Sequence, residues 1–336
     1  MSSAAEKFAM GVDIGATKIA SVLIAENGRL VASSQIPTLA SEGTKAVLDR
    51  VTDQIRELMH QSSGEVIGLG VGSPGKVVST RGVVYDAVNL GWAKLNLLDE
   101  ISERIDKSLP VWIQKDTNLS ALGEYYFGAC RDCDDFIYVG VGSGLGGGII
   151  SGGRLIIGGD WSAAELGHLS IDPNGSLCAC GGHGCAETVA SGPGLVRVTK
   201  IKLTEFPGKS ILRADANLTS ADIISAAQHG DEIARSALAV VGRALGIVMS
   251  ACAAILNPSR FVIGGGLGLA GFDLVVPAAR EEMMRRTIPS SRGTLEIVPS
   301  RVESSAIGPA CLVWYTLSGK TQKANLKEVM SETIVR

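Results

Sequence analysis

His168, Cys178, Cys180 and Cys185 fall within eighteen residues of one another, with Gly175, Gly181, Gly182 and Gly184 among them. Four nitrogen and sulfur ligands on so glycine-rich a loop can wrap one tetrahedral Zn2+. With no open coordination position left, such a site is structural rather than catalytic. The competing reading is three buried thiols beside an unrelated imidazole, but thiols this close together in a glycine loop have little apolar packing around them. His183 is the rival ligand inside the loop. Cys130-x-x-Cys133, set among Arg131, Asp132, Asp134 and Asp135, is expected to bind no metal.

The 42 glycines cluster after β-branched runs, as they do where backbone must approach a ligand closely. Asp13-Ile-Gly15-Ala-Thr17-Lys18 follows the apolar Phe8–Val12, Gly142–Gly148 follows Phe136–Val141, and Gly264–Gly268 follows Arg260–Ile263. Gly142-Ser143-Gly144-Leu-Gly-Gly147 has the dinucleotide spacing, but a hairpin rather than the required helix follows it. Gly70 to Gly75-Lys76 has the outline of a P-loop, yet Val77 replaces the hydroxyl that would hold Mg2+. What remains is a pair of hairpins whose turn N–H groups can form anion nests. Asp13 could hold Mg2+ through water, and Thr17 and Ser143 could donate to phosphate oxygens. Plain tight turns in a glycine-rich sheet are the alternative.

The elements that must position these groups can be read from period and punctuation. Asn27-Gly28 between apolar runs marks a hairpin into a strand over Leu30–Ser34. The spacing predicts helices over Lys45–His60, Asp99–Lys107, Thr117–Tyr126, Ser220–Gln228, Asp231–Leu256, Phe272–Thr287 and Ala306–Ser318. Strands are expected over Glu65–Gly72, Ile149–Ile150 and Leu295–Val298. The turn Gly152-Gly153-Arg154-Leu155 repeats Asn27-Gly28-Arg29-Leu30 about 125 residues on. This is the mark of a duplicated β-hairpin unit, each copy founding one α/β lobe. Glu124 is expected to be an exposed helix residue, and Trp92 a packing residue.

Bulk properties narrow the class. A chain of 336 residues exceeds one ordinary core, so two lobes are expected. Its 31 basic and 34 acidic residues show no basic face for nucleic acid. Met1–Lys7 lacks the features of a secretory signal. Ser236–Leu256 is apolar but carries Arg243, so a buried core helix is expected rather than a membrane span. Clustered cysteines without a signal point to a reducing, cytoplasmic setting.

The chain is identified as similar to the ROK family, of the actin/hexokinase-like superfamily, on three motifs. Asp13-Ile-Gly-Ala-Thr-Lys18 resembles its phosphate signature D-x-G-x-T-K. Gly167-His168…Cys178-Ala-Cys180-Gly-Gly-His-Gly184-Cys185-Ala-Glu187 resembles its zinc signature. Lys115-Asp116-Thr-Asn-Leu-Ser-Ala-Leu-Gly-Glu124 resembles its N-D-x-N-x-A-A-L-G-E run. The resemblance spans about Phe8 to Leu317. It implies a two-lobed, ribonuclease-H-like duplicated fold with an interlobe active-site cleft, phosphorylating a hexose from ATP with Mg2+ and a structural Zn2+. The expected division is a small domain over 1–117, completed by a helix near 305–319, a large domain over 118–304 holding the zinc loop 168–185, and a tail over 320–336.

By the same resemblance Asp116 is the general base. Gly75, Asn89, Lys115, Glu165, His168 and Glu187 bind sugar. Asp13, Gly15, Thr17, Lys18, Ser143, Gly144, Gly264, Gly265 and Gly266 bind ATP and Mg2+. Asp116 and Glu187 have a second reading as helix caps. Lys115 departs from the usual Asn, which leaves open whether glucose, mannose, fructose, an N-acetylated hexosamine or an amino sugar is the acceptor; polyphosphate as donor also stays open. The family's other half, sugar-responsive repressors, needs a DNA-binding module that seven residues before the first strand do not supply, and a non-catalytic sensor has no need of Asp13, Thr17, Lys18 and Asp116 together. The family implies a homodimer or homotetramer, with no membrane or nucleic-acid partner.

Overall fold

The computed structural model describes residues 6–319 apart from 106, 215 and 216. The polar tail expected over 320–336, and most of the Met1–Lys7 segment, lie outside the described residues. Contacts divide the chain into two compact units. One runs to Asp116 and resumes at Ser304; the other is Thr117–Glu303.

In the first unit β1 (Lys7–Ile14) and β2 (Lys18–Ala25) pair antiparallel, and Gly28, at φ +85°, turns the chain into β3 (Leu30–Pro37). Helix α1 (Thr44–His60) buries Val47, Val51, Ile55 and Leu58 at helical spacing. It leads to β4 (Glu65–Ser73), which joins β1 in parallel. A separate antiparallel sheet of β5 (Lys76–Val78), β6 (Val83–Ala87) and β7 (Trp92–Asn96) follows; the last two strands were not among the sequence expectations. Trp92 is buried. The expected helix over Asp99–Lys107 is shorter and earlier. The Asn96 side chain accepts from the Asp99 N–H, which fixes the start of α2 (Leu97–Ser102) at Leu97. Strand β8 (Val111–Lys115) then completes the order β3-β2-β1-β4-β8.

Helix α3 (Asp116–Tyr126) opens the second part of the chain. Strands β9 (Phe136–Val141), β10 (Leu145–Ser151) and β11 (Arg154–Leu155) form the second hairpin set. Helices α4 (Gly192–Glu205), α5 (Ser220–Gln228) and α6 (Glu232–Leu256) precede β12 (Arg260–Gly264), which runs parallel to β9. Then come α7 (Gly266–Ala270), α8 (Phe272–Arg286) and β13 (Glu296–Pro299). The sheet order β11-β10-β9-β12-β13 repeats that of the first sheet. The expected loop Gly142–Gly148 is shorter than its glycines suggest, because Gly146, Gly147 and Gly148 belong to β10. They lie under close neighbours: a Cβ on Gly148 would stand 2.4 Å from the Thr117 carbonyl oxygen, and one on Gly147 2.5 Å from Leu166 Cδ1.

Among the described residues α6 alone is long and apolar enough to cross a membrane. Its apolar face lies in the core of the second unit, from Ile233 to Ala253. Gly242 and Gly246 bring it onto α8, where a Cβ would lie 2.4 Å from the Val275 and 2.5 Å from the Ala279 carbonyl oxygen. Helix α9 (Ile307–Leu317) returns to the first unit and rests on β1 and β4. A Cβ on Gly11 would meet the Ala306 carbonyl oxygen at 2.1 Å, and one on Gly70 that of Pro309 at 1.8 Å.

Glu124, expected to be exposed, is fully buried. Its carboxylate accepts from the backbone N–H of Ala129 at 2.6 Å, Arg301 at 3.1 Å and Val302 at 3.3 Å, and from the Ser300 hydroxyl. Four donors replace water around the charge, which is what lets a carboxylate sit in the interior.

Candidate active site

In the first unit the parallel strands set their carboxyl ends side by side. Asp13 of β1 lies opposite Gly72 of β4, and Gly72 opposite Gln114 of β8. Two strand spacings separate Asp13 from the Gln114–Asp116 corner, about 10 Å. Open α/β sheets bind ligands at this edge. Burial pushes the Asp13 carboxyl above its ordinary range, against the pull of a Ser305 hydrogen bond and the Lys18 charge. The turn beside it is tightly closed. Gly15 N–H donates to the Lys18 carbonyl at 2.9 Å, while Thr38 donates its hydroxyl to the Gly15 carbonyl at 2.6 Å and its N–H to Thr17 O at 3.0 Å. Thr17 and Lys18 are exposed, and Lys18 Nζ donates to Gln35 at 3.1 Å.

Asp116 is half-buried at the first turn of α3. Lys115 is buried. Gly75, at φ +85°, lets the end of β4 close onto β6; a Cβ there would lie 2.4 Å from the Tyr85 carbonyl oxygen. Asn89 is exposed in the helical turn that joins β6 to β7.

In the second unit the turn Gly142–Gly144 and the segment Gly264–Gly266 are neighbours. Gly264 pairs with Gly140 across β12 and β9, and a Cβ on Gly265 would stand 2.4 Å from the Val141 carbonyl oxygen. Gly265 has φ +79°, where a side chain is strained in any case. The turn is held from outside its own sheet. Leu145 N–H donates to Glu187 Oε2 at 2.8 Å, the Glu187 carboxylate occupies the place of a Gly144 Cβ, and Gly192 N–H donates to the Gly142 carbonyl at 2.7 Å. Glu165 is exposed just ahead of the short helical turn Leu166–His168, and Ala164 before it sits at φ +63°. A cavity of ≈ 330 Å3 is lined by Ser143, Cys178, Glu187, Ser191 and Arg197.

The four expected metal ligands come together. One ligand atom from each of His168, Cys178, Cys180 and Cys185 lies within 4.8 Å of the others. Cys180 and Cys185 Sγ atoms are 3.6 Å apart, and Cys178 Sγ is 3.8 Å from His168 Nδ1. A tetrahedron with Zn–S bonds of about 2.3 Å has edges of roughly 3.7 Å, so the donor set fits this ion. The Gly182 N–H at Cys180 Sγ, with the neighbouring thiols, draws the Cys180 thiol below its ordinary value. Burial and the same thiols push Cys185 up to about 12, a crowding that a central cation relieves. His183 turns away, its Nδ1 lying 3.3 Å from the Gly175 carbonyl oxygen.

Two supporting residues escape sequence reading: Thr38, which closes the first turn, and Ser305, which reaches Asp13. Thr38 lies 23 positions from Gly15 and Ser305 nearly the whole chain from Asp13, and neither stands in a recognisable motif.

Residues 9–315 match the ROK family. The chain is 35% identical to a glucokinase of Halalkalibacterium halodurans over 81% of its own length and 84% of that protein's. It is 30% identical to a xylose repressor of Caldicellulosiruptor bescii, over 90% of this chain and 76% of the repressor. Among solved structures, a ROK family glucokinase from Streptomyces griseus in complex with glucose and AMPPNP matches with a TM-score of 0.77 and 32% identity, over 91% of this chain and 98% of that one.

Proposed function

The chain belongs to the ROK family, and on that premise we propose that this ATP-dependent hexose kinase takes the 6-hydroxyl of glucose as its acceptor. The observation that carries the site assignment is the register of β1, β4 and β8, which aligns Asp13 and the Lys115–Asp116 corner on one sheet edge. Phosphoryl transfer asks for positioning and charge neutralisation more than for covalent chemistry. Asp116 accepts the acceptor hydroxyl's proton as the new O–P bond forms and the bond to ADP breaks. Asp13 would hold the Mg2+ that neutralises charge on the phosphates. The turns at Gly15 and Gly144, with Thr17, Lys18 and Ser143, hold phosphate oxygens, and Gly264–Gly266 receives the adenosine.

By the family resemblance, sugar binding is assigned to Asn89 and the backbone at Gly75 in the first unit and to Glu165, His168 and Glu187 in the second. Nδ1 of His168 faces Cys178, so Nε2 is the nitrogen left for a sugar hydroxyl. His168, Cys178, Cys180 and Cys185 would hold Zn2+, which would fix the tautomer and orientation of that ring. Glu187 serves both ligands, since the N–H of Leu145 already ties its carboxylate to the second phosphate turn. Lys115, buried beside the base, favours an acceptor whose distal groups take hydrogen bonds from a cation.

A second reading, a non-catalytic sugar sensor, has the similarity to the xylose repressor in its favour. A coupled ADP-release assay separates the two. Glucose, mannose, fructose, N-acetylglucosamine, N-acetylmannosamine and glucosamine are offered with ATP and read by ADP release, then with polyphosphate and read by sugar phosphate formed. Steady ADP release is expected, fastest with glucose. Sugar binding with neither ADP release from ATP nor sugar phosphate formed from polyphosphate, on any acceptor, would establish the sensor instead.

A further inference from the structure

Outside all of these residues, the second unit carries an open cavity of ≈ 520 Å3 lined by Arg131, Arg260, Arg301, Asp132 and Glu296. Arg260 is committed. Its Nε donates to Glu296 at 2.8 Å, and its Nη1 to Asp132 at 2.8 Å and to the Ala129 carbonyl at 2.6 Å. One guanidinium thus engages both carboxylates of the lining. The side chains of Arg131 and Arg301 make no hydrogen bond or ion pair among the described residues. Three guanidiniums against two carboxylates leave a positive excess, concentrated on these two arginines.

The rims are fixed rather than loose. Ala129 N–H and Arg301 N–H both donate to the buried carboxylate of Glu124, at 2.6 and 3.1 Å. The segments carrying Arg131 and Arg301 are therefore anchored to one point, which lowers the ordering cost of a ligand between them. Planar guanidinium forks match phosphoryl oxygens in pairs. The volume lies within the usual range for small-molecule sites, about 300–1,000 Å3. We propose that this cavity binds a phosphorylated sugar, with Arg131 and Arg301 on the phosphoryl group and the outer oxygens of Asp132 and Glu296 accepting from its hydroxyls. None of these residues takes part in the kinase reading, so the two stand or fall separately.

The test is calorimetric titration of glucose 6-phosphate into the full chain and into an Arg131→Ala/Arg301→Ala double variant. Both side chains are exposed, so an unchanged melting midpoint without ligand is expected to show that the variant folds. Binding to the catalytic site is common to both proteins. The wild type is expected to bind one further molecule per chain, at an affinity that the double variant loses by roughly 10–100-fold. Arg131→Lys/Arg301→Lys should fall between. Identical isotherms for wild type and double alanine variant overturn the proposal. So does inorganic phosphate binding at this site as tightly as the sugar phosphate, since the hydroxyl contacts would then contribute nothing.

Discussion

The two five-stranded sheets share one strand order, yet their hairpin turns are braced in different ways. The first turn, between β1 and β2, is closed by Thr38 at the end of the third strand of its own sheet. The second, between β9 and β10, is held by Glu187 and Gly192, which follow directly after the metal-ligand cluster. A duplicated backbone therefore carries two unlike supports, one made of ordinary hydrogen bonds and one that hangs on the Cys/His loop. The second turn should depend on metal; the first should not.

The largest effect tests the edge on which the first turn sits. Asp116→Asn is expected to lower turnover by roughly 10²–10⁴-fold while ATP binding, measured by calorimetry, is kept. Near-normal turnover would remove Asp116 as the base. Next comes the metal. Elemental analysis should find about one zinc per chain, and stripping it with a chelator should weaken sugar use by about 10–100-fold. ATP binding through the first turn should change far less. Equal losses on both sides would erase the distinction between the supports.

A smaller change probes the first turn alone. Thr38→Ala leaves the Gly15 carbonyl without its hydroxyl donor, which should cost about 1–2 kcal/mol of stability in chemical denaturation and raise KM for ATP but not for sugar. A rise confined to sugar KM would show that the first turn does not hold phosphate.

The smallest lies away from both turns. Asp231 caps α6 through the Ala234 N–H at 2.9 Å and also binds Ser210 and Ile211. Burial would raise its carboxyl, but the Ser210 hydroxyl and the N–H groups of Ala234, Ile211 and Ile233 together hold it below its ordinary value. A lowered folded-state value means the folded chain binds its proton less readily than the unfolded one. The stabilisation is therefore complete above the unfolded carboxylate range and is lost as pH falls through the folded value. Asp231→Ala should cost about 1 kcal/mol at neutral pH, and the gap to wild type should narrow on acidification. A gap that widened toward low pH would contradict the assignment.

Much of this was legible in the chain. Asn27-Gly28 and Gly152-Gly153 mark the repeated hairpins because only glycine-type residues turn there without strain, as the positive φ of Gly28, Gly152 and Gly153 bears out. The Cys/His cluster was legible because a few glycine-rich residues cannot carry their ends far apart. Strands β6 and β7 went unread although Asn89-Leu-Gly91 stands between them, with Gly91 at φ +73°, because each run is short and only partly apolar.

Sequence by itself determined what near neighbours can enforce: the turns, the amphipathic faces, the Cys/His cluster and the placing of Asp116 at the start of a helix. Only the tertiary structure decided which way long-range partners pull. Glu124 is buried because Ser300, Arg301 and Val302, some 176 to 178 positions away, bring donors to it. Gly146–Gly148 run as strand because they pair with Gly140, Val139 and Tyr138, and without a Cβ they admit Thr117 and Leu166 close by. Helical period says which residues share a face. It does not say what that face will meet, because burial is set by whichever distant backbone arrives with its hydrogen-bond donors unmet.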